Sequence, residues 1–326
     1  MGDVPAARLN KVSLTHRSRN TLAAAPVELP IELLRLALES LQEGVVVVDF
    51  ERRVLLWNTG AEKISGIPRL LVMGKPTWDH ELSLVDCGGN ALKDDKCPIR
   101  QSMEDGQERT LTVFLQHRTG YRVPVLLHTV PTGLLGIETP TCLMTFADQS
   151  PQQELDSHGR RAEESSLVDQ LTGLANESFF RDRLSEAIAQ KRLYETPSCL
   201  VYWQVDYLKS LAARYGSNFR DDVLKVVARD LTNALRATDF LTRFNEDKFL
   251  GLLRGCPKAD AVAAATRCRG LVASSRLRVG GSDVWVSVSC GVAETKFGDS
   301  PTELLSRAEG LLMGTVSAGR NQVLVS

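Results

Sequence analysis

The sequence predicts a mixed α/β (α+β) chain of two domains, an antiparallel-sheet domain followed by one with a central sheet backed by helices. Three observations carry this. The length of 326 residues suits two hydrophobic cores. Apolar runs of strand length, separated by tight turns, fill residues 45–146, and from residue 169 strand and helix patterns alternate. The expected layout is a tail over 1–28, a first domain over 29–150, a helical linker over 151–168 and the second domain over 169–326.

Composition narrows the function classes. With 43% hydrophobic and 24% charged residues, the chain reads as an ordinary globular protein. A net charge of -1 gives no reason to expect nucleic acid or a membrane surface as partner, while small anions still suit local basic clusters. No apolar run reaches membrane-spanning length and the start lacks the apolar core of a signal peptide, which predicts a cytoplasmic chain. Seven cysteines, an odd number, are scattered, and Cys142 and Cys290 fall in apolar strands, so reduced buried thiols are expected.

Residues 1–28 are rich in Ala, Pro, Arg and Ser without sustained period. From Pro30, Ile31, Leu33, Leu34, Leu36, Leu38 and Leu41 recur at helical spacing up to Gly44, and so wide a stripe calls for burial against the next domain or a second copy. Strands are predicted over 45–49, 54–58, 110–115, 123–130 and 141–146, a short helix over 61–66, and turns at 51–53, at 117–120 and around Gly133. The runs Gly44-Val-Val-Val-Val-Asp49, Trp57-Asn58, Ala61-Glu62, Gly74-Lys75, Gly120-Tyr-Arg-Val-Pro124 and Phe146-Ala-Asp148-Gln-Ser150 resemble a PAS sensor domain over roughly residues 30–150. The last resembles the Asp-x-Thr junction by which such domains pass signals onward. The residues name no ligand for this sensor.

Cys87 and Cys97 bracket a polar loop, with His80 upstream and His128 on a strand. They suit either a metal, haem or disulfide site or plain loop thiols beside unrelated histidines, since zinc cysteines usually stand closer together. The linker's Leu155 and Ala162 stand one heptad apart, with Gly159 breaking the pattern between them.

The second domain reads as a helix from about 176, a strand over 199–205, a helix over 219–235, a hairpin over 241–253, a helix over 259–274, a strand over 284–289 and a helix from 301. The hairpin has a polar tip, Asn245-Glu246-Asp247-Lys248, and charged turns of this kind carry function more often than packing. Asp169-Gln-Leu-Thr-Gly-Leu174, Asp206-Tyr-Leu-Lys209, Tyr215-Gly216, Asp221-Asp-Val-Leu-Lys225, Arg243-Phe, Ser289-Cys-Gly-Val-Ala293, Arg307-Ala308 and Gly319-Arg-Asn321 together resemble a GGDEF domain, the diguanylate cyclase fold.

What that resemblance implies depends on the signature. Catalytic members join two GTP molecules, one per domain of a dimer, with divalent metal held by carboxylates. The metal positions fall at Gln204 and Asp247; the signature glycines become Asn245 and Glu246, and its glutamate becomes Lys248. A unit charge at ~4 Å is worth about 4 kcal/mol at an effective dielectric of ~20, so one lost anion and one reversed charge weaken a metal site severely. Asp247 is the one metal ligand left, and magnesium is expected only if cyclase activity survives. The base-reading asparagine falls at Ala212 and a phosphate-binding lysine at Val316, while Lys209, Asp221, Asp247 and Arg320 remain as a residual GTP pocket.

Five residues before the signature stands Arg236-Ala-Thr-Asp239, the Arg-x-x-Asp pattern that in this family binds the product, cyclic di-GMP, with a supporting arginine at Arg267. Arginine donates two parallel hydrogen bonds to guanine and aspartate accepts from its N–H groups. A charged turn ending a helix is the bland alternative. The resulting expectation is a non-catalytic cyclic di-GMP receptor coupled to a PAS sensor, working as a homodimer with an unidentified protein partner and with GTP as a further ligand. The alternatives are a weakly active cyclase and a scaffold that binds no nucleotide.

Overall fold

The computed structural model describes residues 30–76, 82–132, 141–150 and 168–326. The tail over 1–28, His80, the turn around Gly133 and nearly all of the 151–168 linker lie outside the described residues.

The first domain comprises α1 (Ile31–Ser40), β1 (Gly44–Asp49), β2 (Val54–Trp57), α2 (Thr59–Ser65), α3 (Arg69–Val72), β3 (Leu84–Val85), α4 (Pro98–Asp105), β4 (Arg109–Gln116), β5 (Arg122–Pro131) and β6 (Thr141–Asp148). Its strands form one antiparallel sheet in the order β2-β1-β6-β5-β4-β3. Val46, Val48, Trp57, Val113, Leu115, Val125, Leu127, Met144 and Phe146 make its core. Buried Asn58 shows why that residue type stands after Trp57. Its Oδ1 accepts from the backbone N–H groups of Val45 and Ala61, and its Nδ2 donates to the carbonyls of Leu38 and Glu43, so one amide caps α2 and joins α1 to β1. At the end of β6, Asp148 Oδ1 accepts from the Ser150 backbone at 2.7 Å.

The apolar stripe of α1 departs from expectation. No α1 residue is buried, and Ile31 is 79% exposed. Only the last turn reaches the domain, through the Leu38 carbonyl and the Glu39 carboxylate, which pairs with Arg69. The described residues leave this stripe uncovered.

The second domain comprises α5 (Glu177–Tyr194), β7 (Ser198–Val205), α6 (Leu208–Tyr215), α7 (Ser217–Ala234), β8 (Phe240–Arg243), β9 (Lys248–Arg254), α8 (Lys258–Ser274), β10 (Arg276–Val279), β11 (Ser282–Trp285), β12 (Val288–Glu294), α9 (Pro301–Ser317) and β13 (Val323–Val325). The sheet order is β13-β12-β7-β9-β8, with β10 and β11 as a separate hairpin. Strand β7 is apolar from Cys199 to Trp203 because both faces are covered. Cys199, Val201, Trp203 and Val205 face the α7 and α8 side, and Leu200 and Tyr202 face α5 and α9. The strand expected over 284–289 is corrected to two, β11 ending at Trp285 and β12 starting at Val288, because the chain changes partner between them.

The two domains touch. Val85 and Phe114 of the first belong to the same hydrophobic cluster as α7 and α8 of the second. Asp230 on α7 is wholly buried, and its Oδ1 accepts from the Arg122 backbone N–H at 2.7 Å. Burial pushes this carboxyl up to about 7, held back by the Arg122 N–H, a Ser275 hydroxyl and the Arg122 guanidinium. Burial also draws Arg122 down to about 10, with Arg276 adding repulsion. A carboxyl raised on folding keeps a proton that the unfolded chain loses. Stability contributed here is therefore present below the ordinary aspartate range and lost as pH rises toward about 7. Urea unfolding of the wild type should show a falling midpoint across that interval, and Asp230→Asn should flatten the fall; an equally steep profile in the variant would contradict this assignment.

Candidate nucleotide site

Three elements meet at the polar tip. The register of the sheet sets Gln204 on β7 opposite Lys248 on β9 and Ser289 on β12. Strand β7 then ends in a tight turn with Tyr207 in the left-handed region (φ 55°), and α6 begins. The tip between β8 and β9 is clamped by Arg243. Its guanidinium donates to both Asp169 oxygens, at 3.2 and 3.1 Å, and to the Glu246 carbonyl at 3.3 Å. The Asp169-Gln-Leu-Thr-Gly-Leu174 turn thus holds the hairpin in place.

A cavity of about 430 Å³ lies beside this tip, lined by Leu208, Lys209, Ala212, Arg220, Arg243, Glu246 and Asp247. Lys209 and Asp247 of the predicted pocket come together there, with Ala212 offering no polar atom. Asp221 stands at its edge, bound to Arg220 at 2.8 Å. Arg320 is placed elsewhere, with its guanidinium over the Tyr207 ring at 4.6 Å and 3.9 Å from Asp206. Sequence reasoning did not pick Arg220, which follows Asn218-Phe219 in the first turn of α7 and carries no motif of its own. Nor did it find Glu309, whose role is visible only once α9 packs beside β9.

The positions at which the sequence resemblance expects metal ligands make protein contacts. Gln204 Nε2 donates to Asp247 Oδ2 at 2.7 Å. Lys248 Nζ pairs with Glu309 at 2.8 Å and lies 5.3 Å from the Tyr202 ring. Asp206, buried, accepts from the hydroxyls of Ser287 and Ser289 at 2.6 and 2.8 Å and from the Asn321 N–H at 3.1 Å. Magnesium seeks several hard anionic oxygens. Of the two tip carboxylates, Glu246 and Asp247, the second already accepts from an amide donor, and a lysine cation follows it in sequence. The residues present do not fit a magnesium ion, and among the described residues no three His, Cys, Asp or Glu side chains converge as metal ligands.

The Arg236 turn lies at the other end of α7. Arg236 is exposed, and among the described residues its guanidinium makes no hydrogen bond or ion pair. Asp239 Oδ2 accepts from the Arg236 backbone N–H at 3.0 Å, and burial raises this carboxyl above the ordinary range. Arg267 is already engaged. Its Nε and one terminal nitrogen donate to the Ala234 carbonyl at 3.0 and 2.7 Å, closing the end of α7. Arg269 instead binds Asn321 at 2.9 Å.

In the first domain Cys87 is exposed, Cys97 is buried, and His128 stands 3.5 Å from Glu108. No disulfide joins the seven cysteines.

Comparison with known proteins places these features. Residues 166–322 match the family described as "Diguanylate cyclase, GGDEF domain", and residues 32–139 match the PAS fold. The chain carries a PAS domain followed by a GGDEF domain. The response regulator PleD of Caulobacter vibrioides is 30% identical over 164 residues, 49% of this chain and 36% of that protein. Diguanylate cyclase DgcP of Pseudomonas aeruginosa is 26% identical over 170 residues, 52% of this chain and 25% of that protein. The chain thus spans about a third or less of these two relatives. Among solved structures, diguanylate cyclase SiaD in complex with its activator SiaC from Pseudomonas aeruginosa aligns at TM-score 0.49 and 29% identity, covering 50% of this chain and 63% of that one. No helix of the described residues is long and apolar enough to cross a membrane.

If the amide at Gln204 is what replaces the metal ligand in the GGDEF domain, restoring charge should restore metal. Gln204→Asp combined with Lys248→Glu is expected to bind Mn²⁺ at least about tenfold more tightly than the wild type by calorimetry. Equal affinity in both proteins would show that the two positions do not decide metal binding.

Proposed function

We propose that this protein is a non-catalytic receptor for cyclic di-GMP, with the GGDEF domain over 169–326 binding the dinucleotide at Arg236, Asp239 and Arg267 and a PAS sensor over 29–150 coupled to it. The contrast between the two ends of α7 carries the reading. At the tip, Asp247 is taken by Gln204 and Lys248 by Glu309. At the Arg236 turn, a guanidinium is exposed beside a partly buried carboxylate that has one oxygen in use.

The chemistry of each residue follows from its position. Arg236 is free to form the planar pair with guanine O6 and N7, and Asp239 supplies an acceptor for guanine N–H groups. Arg267 supports the turn from behind through the Ala234 carbonyl, with its remaining N–H groups left for the ligand. Lys209, Arg220 and Arg243 outnumber Glu246 and Asp247 in lining the cavity at the tip, which suits a phosphate group, so GTP is a second ligand without turnover. The protein acts as a homodimer in this reading.

The names of the relatives favour a second reading, a weak diguanylate cyclase that uses Asp247 and forms product from GTP. Calorimetry of the full chain with cyclic di-GMP is expected to give a dissociation constant in the micromolar range, roughly −8 kcal/mol. Arg236→Ala should remove at least about 2 kcal/mol of this, since one bidentate pair is lost. Absence of wild-type binding, or an Arg236→Ala titration indistinguishable from it, would contradict the receptor assignment.

A further inference from the structure

The PAS domain does not merely precede the GGDEF domain in the chain; its β4–β5 hairpin is seated on it. Arg122, 2% exposed, reaches across with each of its three guanidinium nitrogens donating one hydrogen bond. It donates to the Ser83 carbonyl at 2.7 Å within the PAS domain, and to the Ser274 hydroxyl and carbonyl, at 3.1 and 2.6 Å, at the end of α8. Its own backbone is held as tightly, because the N–H is accepted by Asp230 and the carbonyl accepts from Asn233 Nδ2 at 2.7 Å. Beside it Tyr121 stacks on His117 at 4.4 Å and lies under the Arg229 guanidinium at 5.7 Å.

A second observation is independent of this polar cluster. The loop between Cys87 and Cys97 meets α8 backbone to backbone. A Cβ added to Gly270 would collide with the Gly88 carbonyl oxygen, and one added to Gly89 would collide with the Gly270 carbonyl. Glycine inside α8 is unfavourable for the helix by itself. It earns its place only if something approaches closely, and here that is the PAS loop. The polar loop that the cysteines bracket thus has a partner, and it is the neighbouring domain.

Helix α7 is what this contact grips. Its first turns carry Arg220 and Asp221 at the cavity, its later turns carry Asp230 and Asn233 under the hairpin, and its last carbonyls lead into the Arg236 turn. We propose that the β4–β5 hairpin and the Gly88-Gly89 loop form an in-cis docking surface for α7 and α8, by which the sensor's state reaches the GGDEF domain directly. A shift of the hairpin moves a rigid helix whose two ends border the cavity and the Arg236 turn. The docking itself does not depend on which nucleotide the domain binds.

Hydrogen exchange on the full chain tests this from both sides. Gly270→Ala favours the α8 helix and leaves the PAS sequence untouched, yet should raise exchange about tenfold or more across residues 114–123 of the PAS domain. Arg122→Ala should raise it to a similar extent over residues 226–234 of α7, extending to residues 217–223 and 235–239. Strands β1 and β6 and helix α9 serve as controls. Unchanged exchange at 114–123 in Gly270→Ala would overturn the docking, even if Arg122→Ala proved to unfold its own domain. Faster exchange confined to 226–234, without effect at either end of α7, would overturn the transmission.

Discussion

Two hydrogen bonds from Arg267 to the Ala234 carbonyl close the C-terminal end of α7, and much of what is distinctive in this protein depends on that helix staying in one place. Its apolar side, from Phe219 through Val223, Val227 and Leu231, packs into the core against β7 and α8. Its polar side is not solvent-facing throughout, because Asp230 and Asn233 are buried under the PAS hairpin. A helix buried on two sides and tied at its end behaves as a rigid body. Both candidate sites are attached to it, so each inherits its position from the same element.

At the tip the substitution pattern has a coherent physical sense. A site built for a divalent cation holds several carboxylates close together, and without the cation those anions repel. In this chain three carboxylates near the tip meet protein partners. Gln204 supplies an N–H donor to Asp247, Lys248 supplies a charge for Glu309, and Asp206 accepts from two hydroxyls and a backbone N–H. Asp206, Asp247 and Glu309 are each stabilised by protein groups, which suits the metal-free receptor proposed above.

Much of this was legible in the sequence and some was not. The PAS and GGDEF landmarks, the β8–β9 hairpin and the changed signature residues are local patterns, and local patterns survive reading one residue at a time. Gln204 was readable as an amide where the resemblance expects a carboxylate, but its hydrogen bond to Asp247 required the register of β7 against β9. Arg267 was readable as a cation at the right offset; its bonds to Ala234 depend on how α8 crosses α7. The stripe on α1 promised burial that the described chain does not provide, since periodicity reports an apolar face and says nothing of what covers it. Gly270 gave no signal and Arg122 counted only as part of the Gly120-Tyr-Arg-Val-Pro124 run, because their contacts exist only between domains.

The claim that binding has outlived catalysis is tested most directly by incubating the purified full chain with GTP and Mg²⁺ or Mn²⁺ and measuring cyclic di-GMP by chromatography, beside equilibrium binding of labelled cyclic di-GMP to the same preparation. The account predicts saturable binding and no product above a no-protein control. Product that accumulates with time and disappears in Asp247→Ala would contradict it.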